Sequence, residues 1–317
     1  MTAGKKKKTL LLVDGNALIH RAYHAFPKTF HTKDGELINA VYGFSSALLA
    51  VLGEFKPDGA VVAFDVKGKT FRHEAYEGYK ARRPKMDEEL RAQISRVHEV
   101  VESMGISAFG ITGYEADDLI GTIVNKMKAR KEWEVGIVTG DKDALQLLNG
   151  HVFVYFPSRG RIGAQRIDSK KFIEKYGFAP ENLVDFKALA GDPSDDIPGV
   201  AGVGQKTAEV LIKEFAEVEK VYESLDKIPE RVRTKLEKSR ELAFLSKELA
   251  RIDRNVPLKF ELEDCHFELG HLAHVKELFK ELNFSSLIRR VDGMIGTLNK
   301  VSGEVKESNK IEQMSFF

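Results

Sequence analysis

Three continuous apolar runs that each close on an aspartate constrain this chain more than any other feature. They are TLLLVD (9–14), GAVVAFD (59–65) and EVGIVTGD (134–141). Runs without polar alternation suit strands buried on both faces, as in a parallel sheet. Between them lie amphipathic helical patterns, AVYGFSSALLAVLGEF (40–55), DEELRAQISRVHEVVESMG (87–105) and EADDLIGTIVNKMKARK (115–131). Strands alternating with helices predict an α/β fold with a mostly parallel central sheet flanked by helices. Beyond about residue 168 the strand signal fades, and AEVLIKEFAEVEKVYESL and ERVRTKLEKSRELAFLSKELARI predict a helical part packed against the sheet. The expected organisation is an α/β core over 1–168, a helical part over 169–296 and a polar, flexible tail over 297–317.

At 317 residues, 43% of them apolar and 31% charged, the chain has the composition of an ordinary soluble protein with room for two packed units. Its one cysteine, Cys265, allows no intrachain disulfide and points to a reducing compartment. The N-terminal MTAGKKKKTLLLVDG opens like a signal peptide, but Asp14 interrupts its apolar run too soon. No run is long enough to cross a membrane. A cytoplasmic protein is expected, and nothing requires more than a monomer.

The strand-end aspartates are Asp14, Asp65 and Asp141. Singly, each is what a helix cap or a turn supplies. Together they lie where the carboxyl ends of strands form the ligand crevice of an open α/β sheet. YEADDL adds Glu115, Asp117 and Asp118 at a helix start, where acids also complement the helix dipole. TGDKDALQ adds Asp143, and GDPSDDIPGVAGVGQKTA (191–208) adds Asp192 and Asp195. Nine carboxylates in one crevice raise one another's pKa unless cations compensate. Oxygen-only ligands select hard ions such as Mg2+ or Mn2+, and so many acids suggest two of them, the arrangement that serves in-line displacement at phosphorus. The net charge is only +1, but with those nine set aside 39 acids face 49 Lys and Arg, a surplus of +10. A basic body around an acidic pocket follows.

Two further segments carry positive charge. KGKTFRHEAYEGYKARRPKM (67–86) interleaves cations, including Arg72, Lys80, Arg82 and Arg83, with Phe71, Tyr76 and Tyr79, and has no core-forming stripe. Cations for phosphates and rings for stacking on bases are what a single-strand channel needs, although a solvated surface loop has the same composition. In the second segment Gly199 and Gly204 have Walker A spacing ahead of Lys206-Thr207, but Gln205 stands where that motif needs its lysine. The segment instead predicts a helix-hairpin-helix over 191–215, with outward backbone N–H groups gripping duplex phosphates and with Lys206 and Lys213 adding charge.

LLLVDGNALIHRAYHAF, VAFDVKGKTFRHEAYEGYKARRPKM, GYEADDLIGTI, TGDKDALQLL and GDPSDDIPGVAGVGQKTA, in this order over about 9–290, resemble the motifs of the 5′-nuclease family. That family includes phage 5′-exonucleases, flap endonucleases and, as the nearest type, the N-terminal domain of bacterial DNA polymerase I. The resemblance implies one metal site around Asp14, Asp65, Glu115 and Asp117 with Asp118 nearby, and a second around Asp141, Asp143, Asp192 and Asp195. It implies that Arg72 and Lys80 act catalytically in a helical arch with Tyr79 beside them. Arg82, Arg83, Gly199, Gly202, Gly204, Lys206 and Thr207 would bind DNA, with K+ at the hairpin carbonyls. Asp196 departs from the asparagine common in relatives. The last residues, QMSFF (Gln313–Phe317), resemble peptides that bind the bacterial sliding clamp.

The implied activity is structure-specific 5′-3′ exonuclease and flap endonuclease hydrolysis of branched, nicked or flap DNA by a two-metal mechanism, in replication and repair. A non-catalytic DNA junction binder and a PIN-type ribonuclease remain the alternatives.

Overall fold

Alternate residues of the first apolar run face opposite sides of one sheet. Leu10 and Leu12 join the core on one face, and Leu11 and Val13 the core on the other. The computed structural model describes residues 7–158 and 163–297. Its sheet has six strands, β1 (Lys8–Asp14), β2 (Gly59–Ala63), β3 (Ser107–Phe109), β4 (Trp133–Val138), β5 (Val152–Phe156) and β6 (Gln165–Ile167). The spatial order is β3-β2-β1-β4-β5-β6. All neighbours pair parallel except β5 and β6, which pair antiparallel. The mostly parallel α/β fold expected from the apolar runs is the fold observed, with three short strands added.

This order sets the location of the crevice. From β1 the chain winds outward through β2 and β3, then returns to the other side of β1 for β4 and β5. The winding direction reverses between β1 and β4, and in open α/β sheets that switch point opens a crevice beyond the carboxyl ends of the strands. Asp14 pairs in register with Ala63, and Val13 with Val138. Asp65 and Asp141 follow those partners within a few residues, so the three aspartates leave the sheet at the same edge.

One face of the sheet is covered by helices Gly15–Ala25, Asn39–Phe55, Ile94–Ser103 and Val275–Glu281. The other is covered by helix Ala116–Met127 and by residues from the second half of the chain such as Val200, Ala208 and Ile212. The helical part therefore shares a core with the sheet.

Three predicted helices are broken where a local requirement outweighs periodicity. The 87–105 pattern divides into Glu88–Arg91 and Ile94–Ser103. Between them lies buried Gln93, whose side-chain oxygen accepts from the Ala40 amide at 2.8 Å, at the start of the neighbouring helix. The 208–225 pattern divides at Ala216, whose φ of +65 ends helix Gln205–Phe215. The 230–252 pattern divides at Ser239 into Glu230–Lys238 and Arg240–Ala250.

Candidate metal and nucleic-acid site

Each strand-end aspartate is also a local structural device. Asp14 caps helix Gly15–Ala25 by accepting from the Ala17 amide at 2.9 Å, and its other oxygen accepts from the Thr139 hydroxyl at 2.7 Å. Asp65 accepts from the Ala116 amide at 2.7 Å, joining the end of β2 to the head of helix Ala116–Met127. Asp141 accepts from the Asp143 amide at 2.9 Å. Burial pushes the Asp14 carboxyl up to about 6 against those two hydrogen bonds, and the Asp65 and Asp141 charges push the same way. Burial also raises Asp65. The cap reading and the site reading of these residues are both met, because a carboxylate has lone pairs for each.

At the head of helix Ala116–Met127, Glu115 is the N-cap and accepts from Lys80 Nζ at 2.7 Å and from the Tyr79 hydroxyl at 3.1 Å. Asp117 is half-buried, and its Oδ1 is sealed from solvent with no hydrogen-bond partner among the described residues. Burial, then the adjacent Asp118 charge, lifts its pKa well above the carboxylate range, with Arg72 opposing. An oxygen sealed from water and left unpaired is costly in a finished fold and fits a site meant for a cation.

Three side chains of this region lie elsewhere than the sequence suggested. Arg72 is 2% exposed and forms a two-pronged pair with Asp118, at 2.9 and 2.6 Å, while also donating to the carbonyls of Leu249 and Arg251. Asp118 has no exposure and further accepts from the Glu115 and Asp253 amides. Both are committed to the floor of the site, so Arg72 presents no charge to a passing strand and Asp118 is no open ligand. Tyr79 is likewise buried, at 2%, packed with Ile197, Leu249 and Ala250, and its hydroxyl lies 3.3 Å from Asp195. Its ring cannot stack on a base without leaving that core. Segment 67–86 thus has core residues despite lacking a periodic stripe.

The rest of that segment is fastened to the loop after residue 191. The Lys80 amide donates to the Asp195 carbonyl at 3.0 Å, and its ammonium lies 3.6 Å from the Asp195 carboxylate. Arg83 pairs with Asp195 at 2.7 Å, and Arg82 pairs with Asp196, whose other oxygen accepts from the Arg82 amide at 2.9 Å. Lys80 and Asp196 both have positive φ, +53 and +56. Asp196 is therefore an ion-pair partner here.

Farther along the crevice, Asp143 and Asp192 share the ammonium of Lys187, 2.5 Å from Asp192 and in direct contact with Asp143. Burial drives the Asp143 pKa up to about 7, with Lys187 opposing. For Asp192 the push of burial is outweighed by Lys187 and Ser194, which hold it below the usual range. Among the described residues no three His, Cys, Asp or Glu side chains converge as a ready ligand set. The donors are all hard oxygens, which with the unpaired Asp117 Oδ1 suits Mg2+ or Mn2+.

Helices Leu183–Ala190 and Gln205–Phe215 flank the hairpin, and the first of them lies before the predicted start at 191. Gly199 has φ +64, and a Cβ there would stand 2.3 Å from the Gly191 nitrogen. Two hairpin amides turn inward rather than outward, Gly199 to Ser246 Oγ at 2.9 Å and Val200 to the Leu189 carbonyl at 2.9 Å. Gly204 is the N-cap of the second helix and opens it with Gln205, Lys206 and Thr207. The Gly202 carbonyl accepts from Lys235 Nζ at 2.7 Å.

Residues 9–177 match the family described as 5′-3′ exonuclease, N-terminal resolvase-like domain, and residues 178–271 match the 5′-3′ exonuclease C-terminal SAM fold. The chain belongs to the 5′-3′ exonuclease and flap endonuclease family. It is related to the N-terminal nuclease domain of bacterial DNA polymerase I. It is 40% identical over 287 residues to DNA polymerase I of Bacillus caldotenax, covering 90% of this chain and 32% of that protein. It is 41% identical over 292 residues to the thermostable DNA polymerase I of Thermus filiformis, covering 91% and 34%. The chain thus spans about a third of the length of the curated relatives it matches. Its fold resembles T5 5′-exonuclease with bound zinc, at TM-score 0.64 and 22% identity, over 91% of this chain and 99% of that one. It also resembles the Rad2 catalytic core in complex with DNA substrate, at TM-score 0.56 and 16% identity, over 92% and 93%.

In this nuclease the residue that sequence reasoning missed is Lys187. Its signal was a lone lysine in LVDFKALA, an otherwise apolar helix but for Asp185. Asp185 already has Lys247 as a partner at 2.7 Å, which leaves Lys187 to face the crevice acids. Among the described residues no helix is long and apolar enough to cross a membrane. The predicted tail and its QMSFF peptide lie outside the described residues, apart from Thr297.

Proposed function

We propose that this nuclease hydrolyses phosphodiester bonds of branched, nicked or 5′-flap DNA from the 5′ end, with two divalent ions. The observation that carries this reading is the gathering of acids at the switch point between β1 and β4, where the Asp65 and Asp141 charges both add to the burial that raises the Asp14 carboxyl. Asp14, Asp65, Glu115 and Asp117 would hold one ion, and Asp141, Asp143, Asp192 and Asp195 the other. When bound, such ions make water a nucleophile near neutral pH and stabilise charge developing around phosphorus.

The chain's own residues bind and orient. Arg82, with its side chain 80% exposed, and Arg83 at the mouth offer guanidinium groups that match phosphate oxygens in two-pronged geometry. Lys80 is half-enclosed between Glu115 and Asp195, with its charge held on by those acids against burial. It would be the cation nearest a phosphate entering between the two ion sites. The helix start at Gly204–Thr207 supplies backbone N–H groups and Lys206 for duplex phosphates without base readout. Solved structures of similar fold support the assignment, being T5 flap endonuclease with DNA and metal ions and Rad2 with DNA substrate.

Incubation with a 5′-labelled DNA flap, a matching RNA and Mg2+, with and without chelator, tests the proposal. Short 5′ fragments from the DNA flap that vanish with chelator are expected. An RNA-only product would indicate a ribonuclease, and tight junction binding without any product would indicate a non-catalytic binder.

A further inference from the structure

The two proposed ion sites differ in what already neutralises them. In the first, Glu115 accepts from Lys80 Nζ at 2.7 Å, but the Asp14 oxygens take neutral partners, the Ala17 amide and the Thr139 hydroxyl, and Asp65 takes the Ala116 amide. Asp117 Oδ1 takes none among the described residues. In the second, a single ammonium is shared by two of the proposed ligands, and Arg83 pairs with a third, Asp195. The Lys187 side chain is 11% exposed and bridges Asp143 and Asp192, which are 15% and 12% exposed. Its backbone is fixed in helix Leu183–Ala190, with its carbonyl accepting from the Gly191 amide at 2.8 Å.

A divalent ion using the Asp143 and Asp192 oxygens would meet that ammonium at contact range. Two cations cannot share the same lone pairs, and in a crevice screened from water their repulsion is stronger than at a surface. The four-carbon stem lets the ammonium withdraw while the helix stays in place.

We infer that Lys187 is an internal competitor for the second divalent ion. It holds Asp143 and Asp192 in the ion-free nuclease and must release both before that ion binds. The second site therefore fills at higher ion concentration than the first. On release, Lys187 becomes a free ammonium beside the position where a phosphate enters, so it acts as a positioning residue for loading. This inference rests on the two-ion reading above.

The test is a calorimetric titration of the full chain with Mn2+ in the absence of DNA, which requires no turnover. The wild type is expected to show a tight phase and a weak phase. In Lys187→Met the weak phase should tighten by about tenfold or more, the scale on which a neighbour of a metal ligand alters affinity. Lys187→Arg, which keeps the charge, should leave the phase weak. A weak phase unchanged or weakened in Lys187→Met overturns the competitor role. Because the methionine variant leaves two half-buried acids unpaired and can fail to fold, the wild type with 15N-labelled lysine provides a second reading by NMR, with Lys187 assigned from the arginine variant. Its side-chain signal should move with the weak phase, and a signal unmoved at saturation overturns the inference. Absence of any ion binding by folded wild type would instead sink the two-ion reading itself.

Discussion

Arg72 and Asp118, 46 residues apart, meet as a two-pronged ion pair beneath the crevice, at 2.9 and 2.6 Å, with neither side chain more than 2% exposed. Two carbonyls, of Leu249 and Arg251, complete the guanidinium's partners and tie the basic segment to the helical part. Removing one member of such a pair strands the other charge away from water. Arg72→Ala should cost about 3–5 kcal/mol of unfolding free energy. Arg72→Lys should recover only part of that, because an ammonium cannot reproduce the fork. Denaturant unfolding of the variants checks this, and a loss of DNA affinity without a loss of stability would return Arg72 to the surface role its sequence context suggested.

Tyr79 provides a parallel test. Its hydroxyl serves Glu115 and Asp195, and its ring packs in a small core with Ile197 and Leu249. Tyr79→Phe keeps the ring and should lower stability by about 1–3 kcal/mol, the cost of leaving buried acceptors short of a donor. Affinity for single-stranded DNA, measured by fluorescence anisotropy at fixed salt, should fall less than in Arg82→Ala.

In the hairpin, two glycines should respond oppositely to a side chain. Gly199 combines φ +64 with a Cβ position 2.3 Å from the Gly191 nitrogen. Gly199→Ala should lose at least about 1–3 kcal/mol from the left-handed backbone alone, before the clash is relieved. Gly204 has open space around it and a φ of −91 at the N-cap. Gly204→Ser should be neutral or stabilising by a few tenths of a kcal/mol, since serine is a better cap. Thermal unfolding of both variants checks the contrast.

Burial pushes the Cys265 thiol up to about 11. A thiol that keeps its proton to higher pH in the fold than in the open chain contributes stability that is present below the unfolded pKa. That contribution is lost as pH rises through about 9–11. The wild type should thus lose more stability than Cys265→Ala across this window. A thiol reagent at pH 8 should label Cys265 only after denaturant is added.

Much of the sheet was legible because β1, β2 and β4 are apolar without alternation, which only burial on both faces explains. β3 and β6 were not, since three residues carry no period. The strand-end acids were legible from topology alone. The fate of Arg72 and Tyr79 was not, because a basic, aromatic segment reads as surface unless its distant partners are known. Arg72 is buried by carbonyls 177 and 179 residues away, and no local pattern encodes those contacts. Lys187 was hidden for the converse reason: in an apolar helix it reads as an isolated exception until Asp143 and Asp192 are brought to it.

The central claim is that the acids at the β1/β4 switch point are the cleavage machinery, while other residues hold the DNA. Parallel measurement of cleavage and binding on a 5′-labelled flap, in Asp117→Ala and Asp141→Ala with Mg2+, tests it most directly. Both variants should fold, bind the flap within a few-fold of wild type and yield no product above the chelator control. Cleavage near the wild-type rate in either folded variant would contradict it.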